Sequence, residues 1–162
     1  MNVHGAWRRV PACRRRGSTS SGARRRSGAE LLVVRHARAG DRSAWHGDDR
    51  LRPLDKRGRA QARSLLEALE PFAIERILSS PYVRCVQTVE PLAASREIEL
   101  ELRDELGEGR GDGVELARSL AGDPVVLCVH GGLSDVAFGE RLKKAETLVV
   151  GAGGRVVRRF RV

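Results

Sequence analysis

Apolar residues along this chain fall into two patterns. The first is the short continuous run: Glu30 to Arg35 reads ELLVVR and Val125 to Val129 reads VVLCV. Runs this short and rich in Val and Leu predict strands covered on both faces of a parallel sheet. Ile74 to Leu78 and Ile98 to Leu102 predict two more strands, and Glu146 to Val150 and Arg155 to Val162 flank Gly-Ala-Gly-Gly, which predicts a hairpin. The second pattern has the helical period. Ala62, Leu65, Leu66 and Leu69 lie at i, i+3, i+4 and i+7 and predict a helix from Lys56 to Leu69, ended by Pro71. Ser79-Ser80-Pro81 offers a capping hydroxyl and then Pro at the first helical position, so a helix is expected from Pro81, kinked or restarted at Pro91. Asp112 is expected to cap a helix carrying Leu116, Ala117 and Leu120, and a short helix is expected from Leu133 to Leu142. Residues 37–53 are polar, with Gly40, Gly47 and Pro53, and predict a long loop. Strands alternating with helices predict an α/β fold, a three-layer α/β/α sandwich around a mostly parallel central sheet.

Length and charge then divide the chain. Its 162 residues suit one domain. The net charge of +9 arises at the N-terminus, where residues 1–28 hold eight Arg and no acidic residue, leaving 22 basic against 21 acidic residues in the remainder. So residues 1–28 are expected to be a disordered Arg- and Ser-rich tail, because so few apolar groups do not offset the entropy of ordering. The tail has the composition of an organelle transit peptide, or of an extension without a targeting role, the reading favoured here. Residues 29–162 are expected to form the functional domain. Lys56, Lys143 and Lys144 are the only lysines, which points to a general Arg bias rather than a dedicated nucleic-acid patch. No apolar run is long enough to span a bilayer and no secretory signal is evident. Cys13, Cys85 and Cys128 are odd in number and lack metal-ligand spacing, so no disulfide framework, zinc site or other metal is indicated and a cytoplasmic location is expected.

The chemistry lies where strands end. Ligands of open α/β sheets bind outside the carboxyl ends of the strands. Arg35 and His36 close the first strand, Arg84 falls in the first turn of the helix after the second, and His130-Gly131-Gly132 follow VVLCV. Two guanidinium groups, two imidazoles and glycine N–H groups on one edge suit a tetrahedral oxyanion. Arg is suited to it because its fork donates two parallel hydrogen bonds to phosphate. A lone His at a strand end is more often structural than catalytic, and the joint placement with two Arg carries the chemical reading. With the anion clamped, a neutral imidazole can attack phosphorus in line and split hydrolysis into two displacements through a phosphohistidine. His46 and Asp48-Asp49 lie in the long loop and are read as solvated, outside the site.

These residues resemble the histidine phosphatase superfamily, which includes the cofactor-dependent phosphoglycerate mutases and the short SixA-like phosphohistidine phosphatases. The matching pieces, in order, are VVRHARAG at 33–40, RPLDKRGRAQA at 52–62, SSPYVRCVQT at 79–88, ELGEG at 105–109 and VHGG at 129–132. The resemblance is strongest to short SixA-like domains, including those fused to Nudix hydrolases, and implies a phosphoglycerate mutase-like fold. By it, His36 is the phosphorylated nucleophile, Arg35 and Arg84 are the phosphate clamp, His130 is the second pocket histidine with Gly131 beside it, and Glu108 is the proton donor, with Glu105 the competing choice. It further implies a metal-independent phosphatase without a cofactor, acting on a phosphorylated small molecule or a phosphohistidine protein, as a monomer or homodimer without a membrane partner. The insertions that cover the mutase pocket are missing, so mutase activity is not expected. Two other functions are a phospholigand-binding relative without turnover and nucleic-acid binding through the basic tail.

Overall fold

A computed structural model describes residues 28–162. The tail expected over residues 1–28 lies, apart from Gly28, outside the described residues. In chain order the elements are β1 (Leu31–Arg35), α1 (Lys56–Ala68), β2 (Arg76–Ser79), α2 (Val83–Arg96), β3 (Leu100–Leu102), α3 (Asp112–Ser119), β4 (Val125–Val129), α4 (Gly131–Phe138), β5 (Glu146–Val150) and β6 (Val156–Arg161). They build one sheet of order β3-β2-β4-β1-β5-β6. β3, β2, β4 and β1 run parallel, β5 is antiparallel to β1, and β6 returns antiparallel to β5 along the rim.

Every residue of β4 and β5 is buried, as are the first four of β1. The two-residue period of a strand sends alternate side chains into two separate apolar layers. Leu31, Val33, Leu127 and Val129 meet Val114, Ala117 and Leu133 of α3 and α4. Leu32, Val34, Val126 and Cys128 meet Leu65, Cys85, Val89 and Leu92 of α1 and α2. This is the three-layer sandwich that the sequence predicts.

Three local expectations change. α2 starts at Val83, not Pro81: Tyr82 is the N-cap, with extended backbone and no side-chain cap. The Ser80 hydroxyl is drawn instead to the ring of His130, at 2.9 Å. α2 also runs through Pro91 without ending. An interior Pro costs about 3 kcal/mol, whereas burying Val89 and Leu92 contributes about 1.5–3 kcal/mol each, so packing outweighs the break. Asp112 is the first residue of α3 rather than its cap, which is Gly111. Beyond these, β3 is shorter than expected, and α4 covers 131–138 rather than 133–142.

One close approach sets the loop after β1. The Asp55 amide donates to the Arg38 carbonyl at 3.1 Å, and the Asp55 carboxylate both caps α1 at the Gly58 amide and pairs with Arg38. A Cβ on Gly58 would enter the Arg38 carbonyl, a backbone group with little freedom to move. Gly58→Ala is therefore expected to lower unfolding free energy by roughly 1–3 kcal/mol. Urea denaturation checks this, and an unchanged midpoint would contradict the close approach.

Candidate active site

Parallel pairing brings three strand ends to one edge. Hydrogen bonding continues past the strands: the His36 amide donates to the Val129 carbonyl and the Ser80 amide to the Cys128 carbonyl, each at 3.1 Å. The chain then turns at Ala37, whose amide donates to Thr88 Oγ1 at 2.9 Å while that hydroxyl donates to the Arg84 carbonyl at 2.6 Å. Thr88 thus ties the β1 loop to the helix carrying Arg84. Arg35, His36, Arg84 and Glu108 all line one cleft of about 540 Å³.

His36 is 6% exposed. Its Nδ1 lies 2.8 Å from the Ala37 carbonyl, which only accepts, so Nδ1 carries the hydrogen and Nε2 keeps its lone pair. Burial pushes its pKa down to about 3, partly opposed by the bond to Ala37 and assisted by the charges of Arg84, Arg35 and Lys144. The His130 ring stands 5.4 Å from that of His36, edge to face, and 4.7 Å from the ring of Tyr82. Its Nε2 lies 2.9 Å from Ser80 Oγ, while Nδ1 is buried without a partner. Burial also holds His130 down at about 3, with His36 and Arg84 adding to the effect. Both rings are neutral near pH 7.

Arg84 is 1% exposed, the largest fully buried side chain among the described residues. Its guanidinium lies over the Tyr82 ring, 4.8 Å from the centroid. Nη1 donates to the Asp49 carbonyl at 2.7 Å, and Nη2 to Asp49 Oδ2 at 3.0 Å and Glu108 Oε2 at 2.9 Å. Arg35 donates from Nη1 to the Leu142 carbonyl at 2.7 Å. The Nε atoms of Arg35 and Arg84 are buried without partners. A Cβ on Gly131 would come within 2.7 Å of Arg35 Cζ, so this glycine lets the guanidinium lie against the start of α4.

Asp49, set aside as solvated from sequence, joins the cluster: its other oxygen accepts from Arg52 Nε at 2.9 Å. Burial opposes its ionisation, but the bond from Arg52 and the charges of Arg84, Arg52 and Arg42 outweigh that and hold its carboxyl below the usual range. Arg52, only 7% exposed, also donates to the Ala39 carbonyl. Asp49 sits in a 3-10 turn that Asp48 caps, so no periodicity marks it; its place three residues before the RPLDKRGRAQA piece is the available signal. Asp48 and His46 do not line the cleft; His130 and Gly131 do not line it either and lie behind it, against the His36 ring and the Arg35 guanidinium. Glu105 pairs with Arg103 at 2.7 Å and does not line it either, whereas Glu108 does. Ser80, Tyr82 and Thr88, inside SSPYVRCVQT, also belong to the site, and a position at a strand end or helix start does not mark them.

The model of the histidine phosphatase superfamily (branch 1) matches residues 31–121. The chain belongs to this superfamily. Its fold agrees with solved structures at TM-scores of 0.67 and 0.66. One is a SixA protein of Agrobacterium tumefaciens, 20% identical, covering 83% of this chain and 98% of that one. The other is the protein histidine phosphatase SixA complexed with tungstate, 22% identical, covering 82% and 96%. A curated relative, the 8-oxo-(d)GTP phosphatase of Mycolicibacterium smegmatis, is 57% identical over 63 residues, which are 39% of this chain and 20% of that protein. The superfamily match ends before β4, so His130 and α4 join the site through the fold.

Two outcomes follow from the geometry. The ring signals of His36 and His130 are expected not to titrate between pH 8 and 5 in an NMR titration without phosphate. Since the folded values near 3 lie below the unfolded value near 6.5, unfolding at pH 5 takes up about two protons from solvent onto these rings, and stability falls as pH drops from about 6.5 towards 3. Gly131→Ala is expected to displace the Arg35 guanidinium, a flexible end, with little change in melting temperature. Calorimetry should then show inorganic phosphate binding weakened about tenfold; unchanged affinity would contradict the contact.

Proposed function

We propose that residues 29–162 form a metal-independent phosphatase that hydrolyses phosphomonoesters or protein phosphohistidine through a phosphohistidine at His36. The observation that carries this is His36: a neutral ring with its Nε2 lone pair free, lining one cleft with two arginines that each keep an unpartnered, buried Nε. A buried donor without a partner costs about 1–3 kcal/mol, and a phosphoryl oxygen removes that cost. The name of the curated relative extends the candidate substrates to nucleotide phosphates.

The sequence of events starts with exchange at Arg84. Substrate oxygens replace Glu108 on Nη2, which frees the carboxyl to meet the leaving oxygen. His36 Nε2 attacks phosphorus, the bond to the leaving oxygen breaks, and the Glu108 carboxylate, having taken the proton of the phosphomonoester monoanion, passes it to the leaving oxygen. Arg35 and Arg84 stabilise the charge spread over the equatorial oxygens, and neutral His130 adds a donor without repelling the His36 ring as it becomes cationic. Water, deprotonated by the Glu108 carboxylate, then attacks the phosphohistidine, releasing phosphate and neutral His36. Binding of a phospholigand without turnover is the second reading, favoured by the hold of Arg84 on Glu108 in the resting site. Nucleic-acid binding through the tail rests on residues outside those described.

Purified protein should turn over a generic aryl phosphate with chelator present. His36→Ala is expected to lower kcat at least about 10³-fold, and Glu108→Gln about 10²- to 10⁴-fold. A single-turnover experiment with mass spectrometry should find an acid-labile phosphoryl group on His36. Equal activity in wild type and His36→Ala would rule the mechanism out, and binding without phosphoryl transfer would select the second reading.

A further inference from the structure

The cleft holds more positive charge than one phosphoryl group needs. Besides Arg35 and Arg84, Arg38, Arg42, Arg52 and Lys144 line it. Most of these are matched: Arg38 with Asp55, Arg42 with Asp49 and Glu108, and Arg52 with Asp49. Lys144 makes no ion pair among the described residues, and the charges that act on it are mainly Arg35, Arg52 and Arg38, against the acids Asp55 and Asp41. Burial, reinforced by those three arginines, pulls its pKa below the usual lysine value.

The backbone that delivers Lys144 is also unfavourable. The next residue, Ala145, is 1% exposed and has φ of 58°, in the left-handed region that costs a non-glycine residue roughly 1–2 kcal/mol. Its amide is pinned to the carbonyls of Arg35 and His36, at 3.2 and 3.3 Å. So the strained turn is bolted to the nucleophile's own strand end and carries Lys144 to the same cleft. The strained backbone is offset by those hydrogen bonds and by the burial of Ala145, whereas the desolvated Lys144 has no ion pair among the described residues to offset it, and such strain gathers at ligand sites.

We propose that Lys144, with Arg38 and Arg52, forms a second anion site beside the His36 phosphoryl site, so that the chain selects substrates ending in a diphosphate over those ending in a single phosphate. This rests on reading the His36 cleft as a phosphoryl site. The terminal phosphate occupies the Arg35–Arg84 clamp, and the next phosphate, one bridging oxygen away, meets Lys144. His36 Nε2 bonds to the terminal phosphorus while the bond from phosphorus to the bridging oxygen breaks, and the electron pair stays on that oxygen of the leaving phosphate ester. Water then converts the phosphohistidine to inorganic phosphate. A phosphate leaving group has a second pKa near 6 and so departs without an added proton. Glu108 therefore matters less for a diphosphate than for an alkyl phosphomonoester.

The first test needs no turnover. Calorimetry on the full chain, without divalent metal, compares inorganic phosphate with pyrophosphate for wild type, Lys144→Ala and Lys144→Arg; the tail is the same in all three and cancels. Wild type should bind pyrophosphate about tenfold tighter than phosphate. Lys144→Ala should remove that preference and Lys144→Arg should retain it. The melting temperature of Lys144→Ala should be unchanged or higher, because a repelled cation is gone. Equal loss for both ligands, or an undiminished pyrophosphate preference, would overturn the second site. In turnover, the ratio of kcat/KM for a nucleoside diphosphate over the matching monophosphate should fall about tenfold in Lys144→Ala, and Glu108→Gln should slow the diphosphate less than the monophosphate. A fully active His36→Ala would sink the phosphohistidine mechanism and leave the binding result standing.

Discussion

With β1 and β4 parallel and in register from Leu32 against Val126 to Arg35 against Val129, the residues that follow each strand leave the sheet at the same edge, one ladder step apart. That pairing decides where two imidazoles go before any side chain interacts. Antiparallel pairing would send His36 and His130 to opposite edges, and a slip of one residue would turn Arg35 and His36 to the other faces. The alternation of buried Leu and Val into two apolar layers resists that slip, because every strand residue would have to change layers. The core therefore acts on chemistry through register.

Once gathered, the cationic groups have to be kept side by side. Asp49 does most of this, with one carboxylate oxygen on Arg52, the other on Arg84, and its carbonyl on Arg84 as well. Glu108 adds a second acceptor on the same Nη2 of Arg84, at 2.9 Å. These carboxylate oxygens stand where an anion's oxygens would, so the resting site resembles an occupied one. Ligand entry becomes an exchange of oxyanions rather than the filling of an empty cation pocket. Two neutral histidines complete this balance, since a positive ring at either place would add to the repulsion.

How far the sequence reveals this depends on whether a residue belongs to a periodic element. VVLCV and ELLVVR identify the central strands because they are buried on both faces, and Arg35, His36, Arg84 and His130 then follow from their positions at strand ends and a helix start. Asp49 and Arg52 were out of reach of that logic: they lie in residues 37–53, where no period constrains which polar group turns inward. α2 starts later than the Ser-Ser-Pro signal implies because Ser80 has two uses for one hydroxyl, and the bond to His130 wins over the cap. Pro91 does not restart the helix because propensity is local, while the burial of Val89 and Leu92 depends on the distant strands. The left-handed backbone of Ala145 has no sequence signature at all, since alanine ordinarily avoids it.

The sheet's two rims bear on how this molecule meets others of its kind. One is β3, three residues long. The other is β6, whose Arg158 lies over the stacked rings of Phe72 and Phe160 and whose Arg159 reaches Glu140 and Glu146. A strand arriving to extend the sheet would find too few hydrogen-bonding groups at the first rim and would have to press against arginine at the second. Growth by edge-to-edge pairing is discouraged at both ends, while the mouth of the cleft, at right angles to that direction of growth, stays open to solvent.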